Sequence, residues 1–149
     1  MTTPDPDGLL AEQLLRLSRR LHRSQQRHLD GAGITITPAQ SRLLRVLSHY
    51  DEPPRMSDLA DRLEVVPRAI TSLVDGLEAS GRVRRAPDPK NRRVIRIELT
   101  DTGRTTLGAL HAVRRAAAED ILAPLSAEQR TAFGGLLSTL VDGAGRQDC

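Results

Sequence analysis

Between residues 82 and 96, seven basic side chains (Arg82, Arg84, Arg85, Lys90, Arg92, Arg93 and Arg96) stand against one acid, Asp88. Guanidinium groups in such density suit phosphate, whose oxygens they can grip with two parallel hydrogen bonds. A run of charge is more often only a solvated face, so its meaning depends on the element that carries it. A second set lies just upstream. Once Ile70, Leu73, Val74 and Leu77 are assigned to the buried side of a helix, Pro67, Arg68, Ala69, Thr71 and Ser72 remain for its outer side. Arg bonds guanine bidentately in a major groove, Thr and Ser reach bases or phosphates, and the free N–H groups of a helix start favour phosphate. An ordinary exposed amphipathic helix is the plain alternative.

Other chemistries find less support. His22, His28, His49 and His111 show no tight ligand spacing, so no metal is expected. The one cysteine, Cys149, is the last residue; it can form no internal disulfide, and a regulatory thiol is not expected there. There is no Gly-rich phosphate loop, no Gly-x-Ser-x-Gly and no His-Glu-x-x-His, so neither an enzyme nor a cofactor is expected.

The elements that must position these residues follow from periodicity. Residues 1–7 are expected as a tail. A helix from residue 8 to about 29 carries Leu10, Leu14, Leu17 and Leu21 on one stripe and ends at Gly31-Ala32-Gly33. Thr37-Pro38 caps a second helix bearing Leu43, Leu44, Leu47 and Tyr50, which Pro53-Pro54 follows. A short third helix has Ser57 as cap and Leu59, Ala60 and Leu63 inside. Pro67 starts the fourth, and Gly81 suits a left-handed C-terminal cap. The period then changes to two. Residues 82–85 form a strand, 87–92 a turn, and 94–99 a strand with Ile95, Ile97 and Leu99 on one face. Thr100 caps a long helix over 101–122. Ser126 to Gln129 is a capping box that opens a last helix with Phe133, Leu136, Leu137 and Leu140, and residues 143–149 are expected to fray. The fold class is mainly α: six helices plus a two-stranded β-hairpin, a winged helix-turn-helix. The expected division is 1–36, an N-terminal helix; 37–99, the winged helix-turn-helix; and 100–149, the C-terminal helices.

The 149 residues are 38% hydrophobic and 28% charged, enough for a core of Leu, Val, Ile and Ala. No apolar stretch approaches the length of a membrane span, and the first residues lack the pattern of a secretory signal; the cytoplasm is the expected location and no membrane partner is expected. Of 22 basic residues 21 are Arg, a skew that reflects either phosphate recognition or a GC-rich coding genome. Only Tyr50 and Phe133 are aromatic. Stacked single strands need aromatic platforms, so duplex DNA is the better partner.

The sequence resembles the MarR family of winged-helix transcription regulators from about Leu10 to Leu140. The motifs are Met56-Ser57-Asp58-Leu59-Ala60-Asp61-Arg62-Leu63, Leu73-Val74-Asp75-Gly76-Leu77-Glu78-Ala79-Ser80-Gly81, Asp88-Pro89-Lys90-Asn91-Arg92-Arg93 and Leu99-Thr100-Asp101-Thr102-Gly103. The family's wing alternates acids and arginines. Here Asp88 and Arg93 match, Lys90 replaces the first Arg and Asn91 the second Asp. The resemblance therefore puts Arg92 at the wing tip and Arg93 as its brace against Asp88, with both kept as groove-facing candidates. At Glu64-Val65-Val66 the chain lacks the family's common Gly and capping Ser; losing the cap costs about 1 kcal/mol, and Pro67 partly offsets this by presetting φ.

The resemblance also implies a homodimer, built by terminal helices through Leu10, Leu14, Leu17 and Leu21 with Phe133, Leu136, Leu137 and Leu140. Such a dimer presents two recognition helices to a palindromic operator, with Arg85, Lys90, Arg92 and Arg93 on the wing. It further implies repression, and modulation by a small-molecule effector of unknown identity in a cleft to which Tyr50 could contribute. The alternative is a winged-helix nucleoid or protein-interaction module without sequence preference or ligand response.

Overall fold

The computed structural model describes residues 6–144. Among these, six helices and one two-stranded sheet run in the order α1 (Pro6–Gly31), α2 (Pro38–Leu47), α3 (Met56–Leu63), α4 (Pro67–Ala79), β1 (Val83–Pro87), β2 (Ile95–Leu99), α5 (Asp101–Leu122) and α6 (Ala127–Ala144). This is the mainly helical winged helix-turn-helix expected from the sequence. Cys149 and the extreme ends lie outside the described residues. Pro6 and Asp7, expected in the tail, are already helical, because proline is well tolerated in a first turn. Gly143 likewise remains in α6.

The chain divides into two compact units, one of residues 28–113 and one of residues up to 27 together with those from 114 onward. Both boundaries fall inside α1 and α5, whereas the sequence suggested the connections at 36/37 and 99/100.

In the unit of residues 28–113, caps and turns set the elements. The Thr37 hydroxyl accepts from Gln40 N at 3.1 Å while Gln40 Oε1 accepts from Thr37 N at 3.1 Å, a reciprocal box that starts α2. The third helix begins one residue before the expected Ser57 cap. Arg55 is its N-cap, and the Asp58 carboxylate reaches back to accept from Arg55 N at 3.0 Å, so the helix starts without a cap from Ser57. Glu64 ends α3 with φ 54°, a left-handed conformation that costs a non-glycine residue about 1–2 kcal/mol. At the start of α4, Val66 offers no side-chain cap and Pro67 stands at the first helical position, as its sequence implies.

The core is apolar throughout. Leu43, Leu44, Leu59, Ile70, Val74, Leu77 and Ile97 are fully buried, with Leu47, Leu63, Val83 and Leu110 nearly so. They bring α2, α3, α4, the hairpin and the first part of α5 onto one centre. Burying each such side chain contributes about 1.5–3 kcal/mol. Val83 pairs with Leu99 and Pro87 with Ile95 in antiparallel register. Ile97 N also donates to Pro54 O at 2.9 Å, and Arg55 bridges Arg96, so the segment before α3 adds a short third edge to the hairpin.

One close approach explains the Leu99-to-Gly103 motif. The Thr100 hydroxyl donates to Gly81 O at 2.5 Å and accepts from Gly103 N at 3.0 Å. This draws the first turn of α5 onto the start of β1 so tightly that a Cβ at Gly103 would lie 1.9 Å from Arg82 O. Gly81 itself has φ +71° and permits the turn from α4 into the strand.

In the other unit, the Ser24 hydroxyl, 1% exposed as a residue, donates to Asp120 Oδ2 at 2.8 Å. Ser126 and Gln129 make the expected capping box, with reciprocal bonds of 2.9 and 3.2 Å. Leu9, Leu10, Leu14, Leu15, Leu136, Leu137, Leu140 and Val141 are all exposed, whereas Leu17, Leu21 and Phe133 are half-buried.

Candidate nucleic-acid interface

The fourth helix buries Ile70, Val74 and Leu77, at spacings of four and three, and so turns the opposite face outward. Pro67, Arg68, Thr71 and Ser72 are exposed there, while Ala69 is half-buried. The Thr71 hydroxyl donates to Pro67 O at 3.1 Å, so its hydrogen is engaged by its own helix and its lone pairs stay open. Among the described residues Arg68 has no ion-pair partner, which leaves its guanidinium available for an acceptor outside the chain.

The seven cations of the hairpin separate into two groups. Four are engaged within the protein. Arg82 donates to Thr106 Oγ1 at 3.3 Å and Thr35 O at 3.1 Å. Arg84 meets Glu98 across the strands at 2.7 Å. Arg85 contacts Asp75 at 2.5 Å and Glu78 at 2.7 Å, and its backbone N–H donates to Glu78 as well. The Asp75 carboxylate, followed by Glu78, holds Arg85 above the usual arginine range. Arg96 donates from Nε to Asp88 Oδ2 at 2.5 Å and from Nη1 to Pro53 O at 2.8 Å.

One sequence expectation changes accordingly. The brace on Asp88 is Arg96, not Arg93, because Arg96 alternates with buried Ile97 and leaves the strand on the side where Asp88 sits. Arg93 instead donates its backbone N–H to Asn91 Oδ1 at 3.1 Å, within the turn. Arg85, expected among the DNA-facing groups, has its charge taken up by two carboxylates of α4. It is placed to hold hairpin and helix together.

The remaining three cations, Lys90, Arg92 and Arg93, are exposed at the hairpin tip and without ion-pair partners among the described residues. Their turn is rigidified from inside. Asp88 N donates to Val94 O at 2.8 Å, and Asp88 Oδ1 accepts from Lys90 N at 2.7 Å. Those bonds, the Lys90 N–H first and the Arg96 guanidinium next, hold the Asp88 carboxyl below the usual aspartate range. The arrangement thus supplies a helix with free polar groups at its start and, joined to it through Arg85, a ribbon with three free cations at its tip.

Sequence reasoning missed the clamps formed by Asp75 and Glu78 and by Arg96. Asp75 and Glu78 sit three apart on α4, a spacing that places both on one face, and that signal was present. Pro53 as a partner of Arg96 had no sequence signal, since the contact joins residues 43 positions apart. Among the described residues no group of His, Cys, Asp or Glu could hold a metal ion.

Comparison with known proteins agrees with this architecture. The profile of the MarR family matches residues 36–95. The HTH-type transcriptional repressor MdtR of Bacillus subtilis is 30% identical over 139 residues, covering 93% of this chain and 89% of that protein. The YusO protein of Bacillus subtilis has a solved structure with TM-score 0.79 and 28% identity, over 93% of this chain and 98% of that one. A MarR family protein of Mycobacterium tuberculosis, solved in complex with DNA, gives TM-score 0.67 and 29% identity over 88% and 96% of the two chains. With this fold, these motifs and a relative of this identity along nearly its whole length, the chain belongs to the MarR family and is a transcription regulator, not an enzyme.

Proposed function

We propose that the protein is a homodimeric repressor that seats α4 in the major groove of a palindromic operator and the hairpin tip in the adjoining minor groove. The observation that carries this reading is the separation of the hairpin cations. Lys90, Arg92 and Arg93 stay free at the tip while Arg84, Arg85 and Arg96 stiffen the ribbon behind them. A stiff ribbon with free guanidiniums suits a narrow, electronegative minor groove. Pro67, Arg68, Ala69, Thr71 and Ser72 form the major-groove set, with Arg68 the base reader.

Dimerisation uses the exposed apolar faces of the terminal helices. Leu10, Leu14, Leu136, Leu137 and Leu140 are each 42–66% exposed, and faces of this kind mark interaction surfaces. Leu17, Leu21 and Phe133, half-buried, complete the same stripes. A two-fold dimer would place its recognition helices about 34 Å apart, one turn of DNA. Modulation by a small-molecule effector is carried by the family resemblance, and the cytoplasm is the location proposed with it. Among the described residues no helix is long and apolar enough to cross a membrane.

Selection of bound duplexes from a random pool tests the reading. Enrichment of a palindrome with half-sites about one turn apart is the expected result. Retention of duplex without enrichment of any sequence would replace it with a non-specific nucleoid role.

A further inference from the structure

Along α1, Arg16, Arg20, Arg23 and Arg27 recur at spacings of four, three and four and share one face. This is not the leucine face. At roughly 100° per residue, the arginines lie about a third of a turn round the helix from Leu10, Leu14, Leu17 and Leu21. Arg20, Arg23 and Arg27 line an open recess of about 260 Å³ together with Ser24 and, from α5, Asp120 and Ile121. A second recess of about 370 Å³, lined by Gln13, Arg16, Leu17 and Arg20, adjoins it through Arg20.

Three guanidiniums and one carboxylate leave two net positive charges on the first recess. Among the described residues none of the three arginines has an ion-pair partner. Like charges four apart on a helix destabilise it, and a bound anion would relieve the repulsion. The one carboxylate of the recess, Asp120, accepts from the buried Ser24 hydroxyl at 2.8 Å. Neither Tyr50 nor Phe133, the two aromatic residues of the chain, lines either recess, so no aromatic side chain is there to stack on a flat ring.

We propose that this trough is a binding site for a small phosphate ester. A phosphoryl group carries about −1.5 to −2 charge at neutral pH and presents three strong acceptor oxygens. That matches the net charge of the recess and the forked geometry of arginine. The organic part of the ester lies along Gln13 and the aliphatic stem of Arg16 in the adjoining recess. A regulatory consequence rests on the effector-responsive reading above, whereas binding itself does not.

The test is calorimetric titration of the full chain with glycerol 3-phosphate, with benzoate as the monoanionic aromatic comparison. Saturable binding is expected, weakened about tenfold or more by Arg23→Gln and by Arg27→Gln, and unchanged by Arg92→Gln on the hairpin. Both trough side chains are exposed, so each variant should melt as the parent does, and two variants guard against a local accident. Glycerol 3-phosphate binding that ignores both variants, binding that only Arg92→Gln abolishes, or benzoate binding at least as tightly would each overturn the assignment. A duplex-binding assay separates the two ideas. Glycerol 3-phosphate that binds without altering DNA affinity leaves the site standing and removes regulation through it. Absence of phosphate binding, beside release of DNA by another compound, removes the site and leaves the effector reading.

Discussion

The division of hairpin cations into engaged and free groups makes a quantitative prediction about salt. Duplex binding weakens linearly in log salt with a slope of about −0.9 for each phosphate neutralised. Arg68, Lys90, Arg92 and Arg93 are the exposed, unpaired cations of α4 and the hairpin tip. If all four met phosphate in both protomers, the slope would reach about −7, and affinity would fall by about 10⁴ between roughly 50 and 200 mM salt. Arg92→Ala removes one contact per protomer, so the slope should become shallower by about 2 in a dimer and only by about 1 in a monomer. Arg85→Met serves as the contrast. Its guanidinium is 29% exposed and already bound to Asp75 and Glu78. Its loss should lower folding stability by about 1 kcal/mol and change the slope less than half as much as Arg92→Ala. Fluorescence anisotropy of a labelled operator across a salt series, with denaturant melts of both variants, measures all of these. A slope unaltered by Arg92→Ala, or equally reduced by Arg85→Met, would refute the assignment of free and engaged cations.

Three further outcomes follow from named contacts. Gly103→Ala puts a methyl against Arg82 O and should cost about 1–3 kcal/mol in a denaturant melt; unaltered stability would deny the close approach. Leu14→Glu places a charge in the exposed apolar stripe and should convert the proposed dimer to monomers in sedimentation, with loss of operator affinity; an unchanged sedimentation coefficient would exclude that stripe from the interface. Asp88 is held below the ordinary value of 3.8, so its contribution is fully present above that pH and is lost as pH falls through the lower folded value. Asp88→Asn should therefore flatten the acid limb of stability against pH, and an identical limb in the variant would show that Asp88 is not among the groups that set it.

Much of the local structure was legible because its causes are local. Thr37 with Gln40 and Ser126 with Gln129 make the boxes their spacing announces. The long helix occupies 101–122, as capping by Thr100 and the break at Pro124 require. The change from a period near 3.6 to a period of two located the hairpin. The start of α3 was misplaced by two residues because Ser57 looks like a cap, whereas Arg55 is the N-cap and Asp58 reaches back to its backbone N–H. For the interface, sequence identified a basic ribbon and the outer residues of α4, but it could not sort the cations. Arg85, Arg92, Arg93 and Arg96 are one residue type within twelve positions. Only partners distant in the chain distinguish them.

What the sequence determined by itself was therefore the order of elements, the apolar core, the family and the concentration of positive charge on the hairpin. All of these depend on spacing of a few residues and on composition. The tertiary structure decided which charges remain available. Asp75 and Glu78 neutralise Arg85, while Asp88 and the Pro53 carbonyl take Arg96, so neither guanidinium is left over at the surface. The physical reason is that a charge–charge contact depends on separation in space, and folding brings Pro53 to Arg96 through the pairing of Ile97 with Pro54.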